Sequence, residues 1–234
     1  MLDMVKSAPV AAERHDIYDI IHRGLRKAEM DLLSRLGALD PADPAAVAAI
    51  LADFRRLLVL GRYHLVDEND HIHTALEAKR PGASASLAHD HAEHEVSFME
   101  IELMLADIEA APASRRKPLL KALYHRYSDF VAHDFAHMLE EETVVQPVLQ
   151  DLFSDAELRA IEGRIIASIP PPVMLDFIRI MIPAIDPAAR LEMLSGMMAG
   201  MPAEAFHAVL DYSVKPVLAD HEWAFIDAGL RRAA

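Results

Sequence analysis

Cysteine is absent from this chain of 234 residues. Its absence excludes disulfides, thiolate metal ligands, iron–sulfur clusters and cysteine nucleophiles. Glycine is scarce, with eight residues, and helix-forming residues such as Ala, Leu, Met, Glu and Arg are common. No stretch shows the sustained alternation of apolar and polar residues, bounded by turns, that is typical of strands. We therefore expect an all-α fold.

Basic residues are also few, since 23 Lys and Arg stand against 37 Asp and Glu, for a net charge of −14. This balance argues against nucleic acid or an anionic membrane as a partner, because both prefer a basic face. No run of about 18 apolar residues occurs, so we expect no membrane-spanning helix. The first 14 residues lack a long apolar core. We therefore expect no secretory signal and a cytoplasmic location.

Histidine, by contrast, is abundant: eleven of the thirteen fall before position 142. Two of them belong to a repeated pair, in which a glutamate follows a histidine four residues later: His64 with Glu68, and His137 with Glu141. In a helix, residues four apart lie on one face, one turn from each other. Each pair therefore presents an imidazole and a carboxylate to the same place.

A lone histidine precedes each pair at a similar distance. His22 lies 42 residues before the first pair, and His91 lies 46 residues before the second. The order His…His-x-x-x-Glu thus occurs twice, which indicates a dinuclear metal site inside a four-helix bundle. Two metal ions sharing these residues would each receive two imidazoles, with the two carboxylates bridging them. Imidazole and carboxylate without thiolate suit iron, manganese or zinc.

The candidate residues fall on the apolar stripes of four predicted helices. These helices cover about residues 12–36, 44–79, a segment capped by Ser84 or Ser86, and a segment that follows a loop at 111–118 and ends near 149. A buried carboxylate without a partner costs several kcal/mol, roughly, so a cation is expected beside Glu68. On the third helix both His91 and His94 point inward, and periodicity does not choose between them.

From position 151 onwards the character of the chain changes, and prolines become frequent. Ser154 and Glu157 form a capping-box pattern at the start of this part. Short helices are predicted over about 155–168, 173–182, 187–199, 202–209 and 220–230. We therefore predict a bundle domain over 12–150 and a helical C-terminal extension over 151–234. The extension should cover the bundle or form a homodimer contact, without supplying metal ligands.

The two His-x-x-x-Glu motifs, each after an isolated histidine, resemble the hemerythrin-like (HHE cation-binding) family over about residues 12–150. The context of His22, Ile-His-Arg-Gly-Leu-Arg, is similar to that family as well. The resemblance implies an up-down-up-down four-helix bundle with a non-haem di-iron centre, and the donor types allow manganese or zinc as substitutes for iron. The implied ligands are His22, His64, Glu68, His91, His137 and Glu141.

The sequence also departs from the oxygen-carrying hemerythrins, which have two histidines four apart on one helix. Here His91 and His94 stand three apart. The family spacing favours His91 as the ligand and His94 as a core or neighbouring residue. His133 and Asp134 either orient His137 or are solvated, and His73 is predicted at the surface, although it lies close to Glu68. The pattern is closer to the iron-sensing and nitrosative-stress branches, whose repair members carry a cysteine pair that this chain lacks.

Two functions remain open at this point. The first is a binding module or sensor for dioxygen, nitric oxide or iron itself. The second is a di-iron redox enzyme of the oxidase or peroxidase type, so the sequence does not decide whether the protein is an enzyme. The low charge of the ligand set and the apolar surroundings favour a small gaseous ligand over an organic substrate.

Overall fold

The structure, a computed structural model, describes residues 14–233, and this part of the chain is helical without a β-strand. The all-α expectation is thus confirmed. Its first six helices are α1 (Asp19–Gly37), α2 (Pro44–Asp67), α3 (Thr74–Lys79), α4 (Ala85–Ala110), α5 (Ala113–Glu140) and α6 (Gln146–Leu152). The remaining helices are α7 (Asp155–Ser168), α8 (Pro171–Met181), α9 (Pro187–Gly200), α10 (Ala203–Val209) and α11 (Asp220–Ala233).

Two π-helical segments join helices that the sequence predicts as continuous. Glu68–His73 links α2 to α3, and Glu141–Val145 links α5 to α6. A π-helical turn widens the helix by one residue and is frequent at functional sites. Each segment begins at the glutamate of a His-x-x-x-Glu motif, so the motif repeat is also a repeat of backbone geometry.

Capping side chains set where α1 and α2 begin. The sequence predicts that the first helix starts near residue 12, which lies outside the described residues. Residues 14–18 are not helical, so the prediction is wrong for this segment. The carboxylate of Asp16 accepts hydrogen bonds from the backbone N–H groups of Tyr18 and Asp19, at 2.9 and 3.0 Å, and so starts the helix there. Asp43 caps α2 in the same way, with Pro44 at the first helical position, as the sequence predicts.

The start of α5 differs from the sequence prediction. The expected loop at 111–118 is wrong, because α5 begins at Ala113 and contains Pro118. Proline lacks an N–H, so the helix loses one hydrogen bond near its beginning. The burial of Leu120 and Leu123 on the next turns compensates for this loss. At the other end of the bundle, Ser154 and Glu157 form the predicted capping box at α7.

Helices α1, α2, α4 and α5 pack in a ring, in which α1 and α4 each contact both α2 and α5. One apolar cluster fills this ring and includes Leu51, Phe54, Leu105 and Leu123. A second cluster, around Tyr18, Ile72, Leu87 and Leu149, lies towards α3, α6 and α7. The two His-x-x-x-Glu motifs lie between these clusters.

The helices after α6 pack on the bundle and on one another. Helix α8 contacts α1 and α2, and α7 contacts the π-helical segment that begins at Glu68. The hydroxyl of Ser168 donates a hydrogen bond to the Asp67 carboxylate at 2.8 Å. A third apolar cluster, with Ile178, Leu194 and Phe206, holds α8–α11 together. Within residues 14–233, no helix is both long and apolar enough to cross a membrane.

Candidate metal centre

The structure brings all six predicted residues to one place inside the helical ring. The histidines come from α1, α2, α4 and α5, and both glutamates come from the first positions of the π-helical segments. Five of the six are buried, and the side chain of His64 is 11% exposed. The set is His22, His64, Glu68, His91, His137 and Glu141.

These side chains form two groups that could each hold a metal ion, with all candidate ligand atoms of a group within 4.8 Å of one another. The first group adds His22 and His64 to the two glutamates. The second group adds His91 and His137 to the same two glutamates. The groups therefore share both carboxylates, an arrangement that suits a dinuclear site with bridging carboxylates.

Each carboxylate lies between a histidine of the first group and a histidine of the second. Glu68 Oε1 is 3.2 Å from His64 Nε2, and Glu68 Oε2 is 3.4 Å from His91 Nε2. Glu141 Oε2 is 3.4 Å from Nε2 of both His22 and His137. The two oxygens of Glu68 thus face different groups, so this carboxylate could bridge two cations.

Three of the four imidazoles are held at Nδ1 by side chains outside the six. His22 donates to Glu142 at 3.0 Å, His91 to Asn69 at 3.0 Å and His137 to Asp90 at 3.3 Å. An imidazole that donates from Nδ1 keeps its lone pair on Nε2, and metal-binding histidines are commonly oriented by such a partner. All three Nε2 atoms are directed at the shared carboxylates.

The arrangement leaves electron-rich atoms facing one another without a positive charge between them. His91 Nε2 and His137 Nε2 are 3.1 Å apart. Nε2 of His22 and His64, and all four oxygens of Glu68 and Glu141, are buried without a hydrogen-bond partner. No lysine or arginine forms an ion pair with either glutamate in the described part of the chain. Buried polar atoms require a partner, and a pair of cations would supply it, so these residues fit a metal centre.

Burial dominates the electrostatics of the site. It raises the pKa of Glu68 well above its usual value, and the charge of Glu141 adds to the effect. The pKa of Glu141 is raised for the same first reason, with Asp134 as the next contributor. Burial also lowers the pKa of His91 to about 2 and that of His64 well below its usual value. His64 and His91 are therefore neutral and ready to bind a cation, and a cation competes with protons for the two carboxylates.

The other histidines of the bundle lie outside both groups. His94 is buried and packs edge-on against His137, with ring centroids 4.9 Å apart. His133 is solvated, with a side chain that is 74% exposed, so it does not orient His137. The surface prediction for His73 is wrong, because its ring is buried and stacks on His91 at 4.9 Å. The π-helical turn after Glu68 directs His73 inward.

Sequence reasoning missed the three side chains that hold the imidazoles. Asn69 follows Glu68, Glu142 follows Glu141, and Asp90 precedes His91. Each of these polar residues is adjacent in sequence to one candidate ligand. Each accepts a hydrogen bond from a different candidate ligand, which lies on another helix. That adjacency is a usable signal, because the residue beside an inward-facing ligand lies at the edge of the same helix face.

A second buried polar cluster was also missed. Glu29 from α1 and Asp134 from α5 are both buried and line the same small cavity. Asp134 Oδ1 lies 3.7 Å from His94 Nδ1. The Tyr127 hydroxyl is buried nearby without a hydrogen-bond partner. These polar groups lie on the side of the apolar cluster that fills the helical ring, to which Tyr127 belongs.

Comparison with known proteins adds no relative: no family model, no curated protein and no solved structure matches the chain. The fold and the site define an all-helical protein with a buried His/Glu cluster that could hold metal ions. Its function must therefore be argued from the geometry of that cluster.

Proposed function

We propose that this chain is a hemerythrin-like protein, with two non-haem iron ions held by the six clustered residues. Helices α1, α2, α4 and α5 would form an up-down-up-down bundle, since short connections join each of them, or its continuation, to the next. The bundle would span residues 12–150 and the extension 151–234. The observation that carries the proposal is the pair of four-residue groups sharing Glu68 and Glu141.

The chemistry of the donor set supports iron, with manganese or zinc as possible substitutes. Four neutral imidazoles and two carboxylates give the protein ligands a charge of −2. Two bound iron ions would supply electrons and open coordination positions for a small exogenous ligand. The protein supplies the positions of the six donors, the hydrogen bonds that orient three imidazoles, and a site that excludes bulk water.

The space beside the centre favours a very small ligand. A cavity of about 20 Å³ lies next to His64 and is lined mainly by apolar side chains, among them Leu58, Phe98 and Phe130. Such a volume holds about one water-sized molecule. A metabolite would not fit, whereas dioxygen or nitric oxide would. We therefore propose reversible binding or sensing of one of these gases, or of iron itself, in the cytoplasm and without a nucleic-acid or membrane partner.

A di-iron redox enzyme of the oxidase or peroxidase type is the second candidate. Tyr18 favours it, because its ring stacks on His22 with centroids 5.0 Å apart and its buried hydroxyl has no hydrogen-bond partner. A phenol beside a redox centre is a group that can be oxidised. The structure thus offers the enzyme a specific residue, in addition to the shared metal site.

Optical spectroscopy distinguishes the two candidates. The iron-loaded protein is reduced anaerobically and exposed to dioxygen, or separately to nitric oxide, while the charge-transfer bands are followed. Bands that appear with the gas and vanish when it is removed support the binding module. Rapid irreversible oxidation, with repeated turnover of peroxide or a reductant, supports the enzyme, and Tyr18→Phe should then slow it.

Two controls define what counts as failure. Zinc-loaded protein should show no bands, because zinc has no redox chemistry. The His133→Ala variant should behave as the unmodified chain, because this histidine is solvated and lies outside the site. Iron-loaded protein that responds to neither gas and turns over neither peroxide nor a reductant would overturn gas binding and the redox enzyme, and would leave binding of iron itself as the function.

A further inference from the structure

The buried carboxyl pair of Glu29 and Asp134 has no role in holding the six clustered residues. Glu29 is 4% exposed and Asp134 is 9% exposed, and both line a cavity whose other side chains are mainly apolar. No lysine or arginine within residues 14–233 forms an ion pair with either carboxyl group. Uncompensated buried carboxyl groups are costly, so their presence in a core calls for a functional explanation.

Two adjacent buried carboxyl groups cannot both be ionised, because like charges repel strongly where water is excluded. One proton is then shared between them. Burial raises the pKa of Glu29 well above its usual value, and the charge of Asp134 raises it further. The pair therefore contains one neutral carboxylic acid, whose O–H group is a hydrogen-bond donor.

The same pair lines the small cavity beside the candidate centre. Glu29, Asp134 and Tyr127 face this space of about 20 Å³, with His64 on the side of the centre. Glu29 Oε2 and the Tyr127 hydroxyl are buried and have no hydrogen-bond partner within the described residues. A cavity for one very small molecule is thus bordered by polar atoms that lack partners, and by the imidazole of a candidate ligand.

We propose that Glu29 and Asp134 share one proton while the cavity is empty, and that the Glu29 O–H group turns from Asp134 to donate a hydrogen bond to a two- or three-atom ligand when one enters the cavity. The ligand class is a small molecule with an acceptor atom at its free end, such as azide or dioxygen. The part of this inference that concerns ligand binding rests on the proposed metal centre. The shared proton belongs to the chain itself and does not depend on metal.

Azide is the probe for the ligand contact, because its binding to iron-loaded protein can be followed optically. Glu29→Leu removes the donor and should weaken azide binding roughly 3- to 10-fold, as expected for one lost hydrogen bond. Glu29→Gln keeps an N–H donor in nearly the same shape and should bind azide close to the wild-type affinity. Asp129→Asn, an exposed carboxyl change on the helix that carries Asp134, is the matched control.

An unchanged azide affinity in Glu29→Leu, with normal iron content, would overturn the ligand contact while leaving the proposed metal centre in place. Equal losses in Glu29→Leu and Glu29→Gln would also overturn it, because a merely structural role would not distinguish donor from non-donor. If the wild-type chain takes up no iron, the proposed function fails and the ligand contact fails with it.

Infrared spectroscopy tests the shared proton independently of metal. Wild-type protein at neutral pH should show the carbonyl band of a protonated carboxylic acid, part of which disappears in Glu29→Gln. The raised pKa values of Glu68 and Glu141 mean that these residues also contribute to the carbonyl band in metal-free protein. Only the part of the band that the substitution removes is therefore assigned to Glu29. Identical spectra of the two proteins would overturn the shared proton. A melting curve confirms folding of both variants; Glu29→Leu should fold, because an apolar side chain replaces a buried carboxyl group.

Discussion

A histidine binds a metal through the nitrogen that keeps its lone pair, and the structure fixes that choice for three imidazoles. Hydrogen bonds from Nδ1 of His22, His91 and His137 turn each Nε2 towards the shared carboxylates. The fourth, His64, has a buried Nε2 without a partner, 3.2 Å from Glu68. The orientation of these imidazoles therefore depends on side chains that are not themselves candidate ligands.

Substitutions should separate the proposed ligands from their neighbours. His64→Ala, Glu68→Ala, His137→Ala or Glu141→Ala should each cause loss of metal, because each removes a donor atom from a buried polar cluster. His94→Ala should keep metal, with at most the roughly 10–100-fold loss of affinity expected of a supporting residue. Metal content after gel filtration measures both results.

The exposed His133 provides the control, since His133→Ala should bind metal as the wild type does. A loss of metal in His94→Ala that equals the loss in His91→Ala would show that the wrong histidine of α4 has been assigned. In that case the motif spacing that favours His91 would have misled the assignment, because both histidines are buried.

Stability should depend on pH through Glu29. Below its ordinary pKa of 4.5 the carboxyl is protonated in both the folded and the unfolded chain. Above that value the unfolded chain loses the proton while the folded chain keeps it, so stability falls as pH rises towards the raised folded pKa. Glu29→Gln removes this dependence. Between pH 4.5 and the raised folded pKa, the free energy of unfolding of Glu29→Gln relative to wild type should therefore increase by up to about 1.4 kcal/mol per pH unit.

Thermal unfolding of the metal-free proteins from pH 4 upwards measures the effect. Metal-free protein is used because metal binding would add its own pH dependence. The contributions of Glu68 and Glu141 cancel in the difference between the two proteins. A difference in stability that stays constant across the pH range would contradict the raised pKa.

At the scale of elements, the sequence predicted what periodicity and capping determine. The capping box at Ser154, the N-cap at Asp43 and the bounds of α7 all follow local rules that do not need the rest of the fold. The same holds for the inward faces that carry the six candidate ligands. Local patterns were therefore enough to bring the right side chains to one region.

The features that the sequence did not predict depend on contacts between distant elements. The π-helical turns at Glu68 and Glu141 depart from regular α-helix, which a 3.6-residue period cannot indicate. The pair of Glu29 with Asp134 arises only when α1 and α5 meet, because the residues are far apart in the chain. The position of His73 follows from a π-helical turn as well, which explains why it was wrongly predicted at the surface.

Close packing of α2 against α4 should make Gly61 intolerant of a side chain. A methyl group there would lie 2.8 Å from Cζ of Phe98, which is buried in the core. Gly61→Ala should therefore destabilise the protein, by about 1–3 kcal/mol for an overpacked site. Gly196→Ala is the matched control, since a methyl group meets open space there and should stabilise by about 0.4–1 kcal/mol.

Chemical denaturation of the two glycine variants compares them directly. Gly61 and Phe98 also line the small cavity, so a displaced Phe98 ring should reduce azide binding in the first variant and not in the second. If both substitutions stabilise the protein equally, the packing of α2 against α4 is looser than described.

For the whole molecule, the extension acts as a cover for one side of the bundle. Helix α8 packs on α1 so closely that a methyl group on Gly24 would lie 3.1 Å from the Met181 Cα. Ser168 holds Asp67, next to the candidate ligand Glu68. The extension supplies neither of the two metal groups with a residue. It therefore supports the site from outside.

A chain that ends at Leu152 should lose stability or solubility, because the apolar faces of α1 and α2 under α8 become exposed. Any fraction that remains folded should still bind two metals. A shortened chain that is as soluble and as stable as the full one would contradict the covering role. Dimerisation through the extension stays a prediction, which the mass of the full chain in solution tests.

The central claim is that two metal ions share Glu68 and Glu141. The most direct measurement is elemental analysis of protein produced with added iron and freed of loosely bound metal, together with the same analysis of Glu141→Ala. We expect two metal ions per chain, iron when iron is supplied, and a loss of both ions in the variant because both groups use this carboxylate. One metal ion per chain, or none, in the wild-type protein would contradict the dinuclear centre.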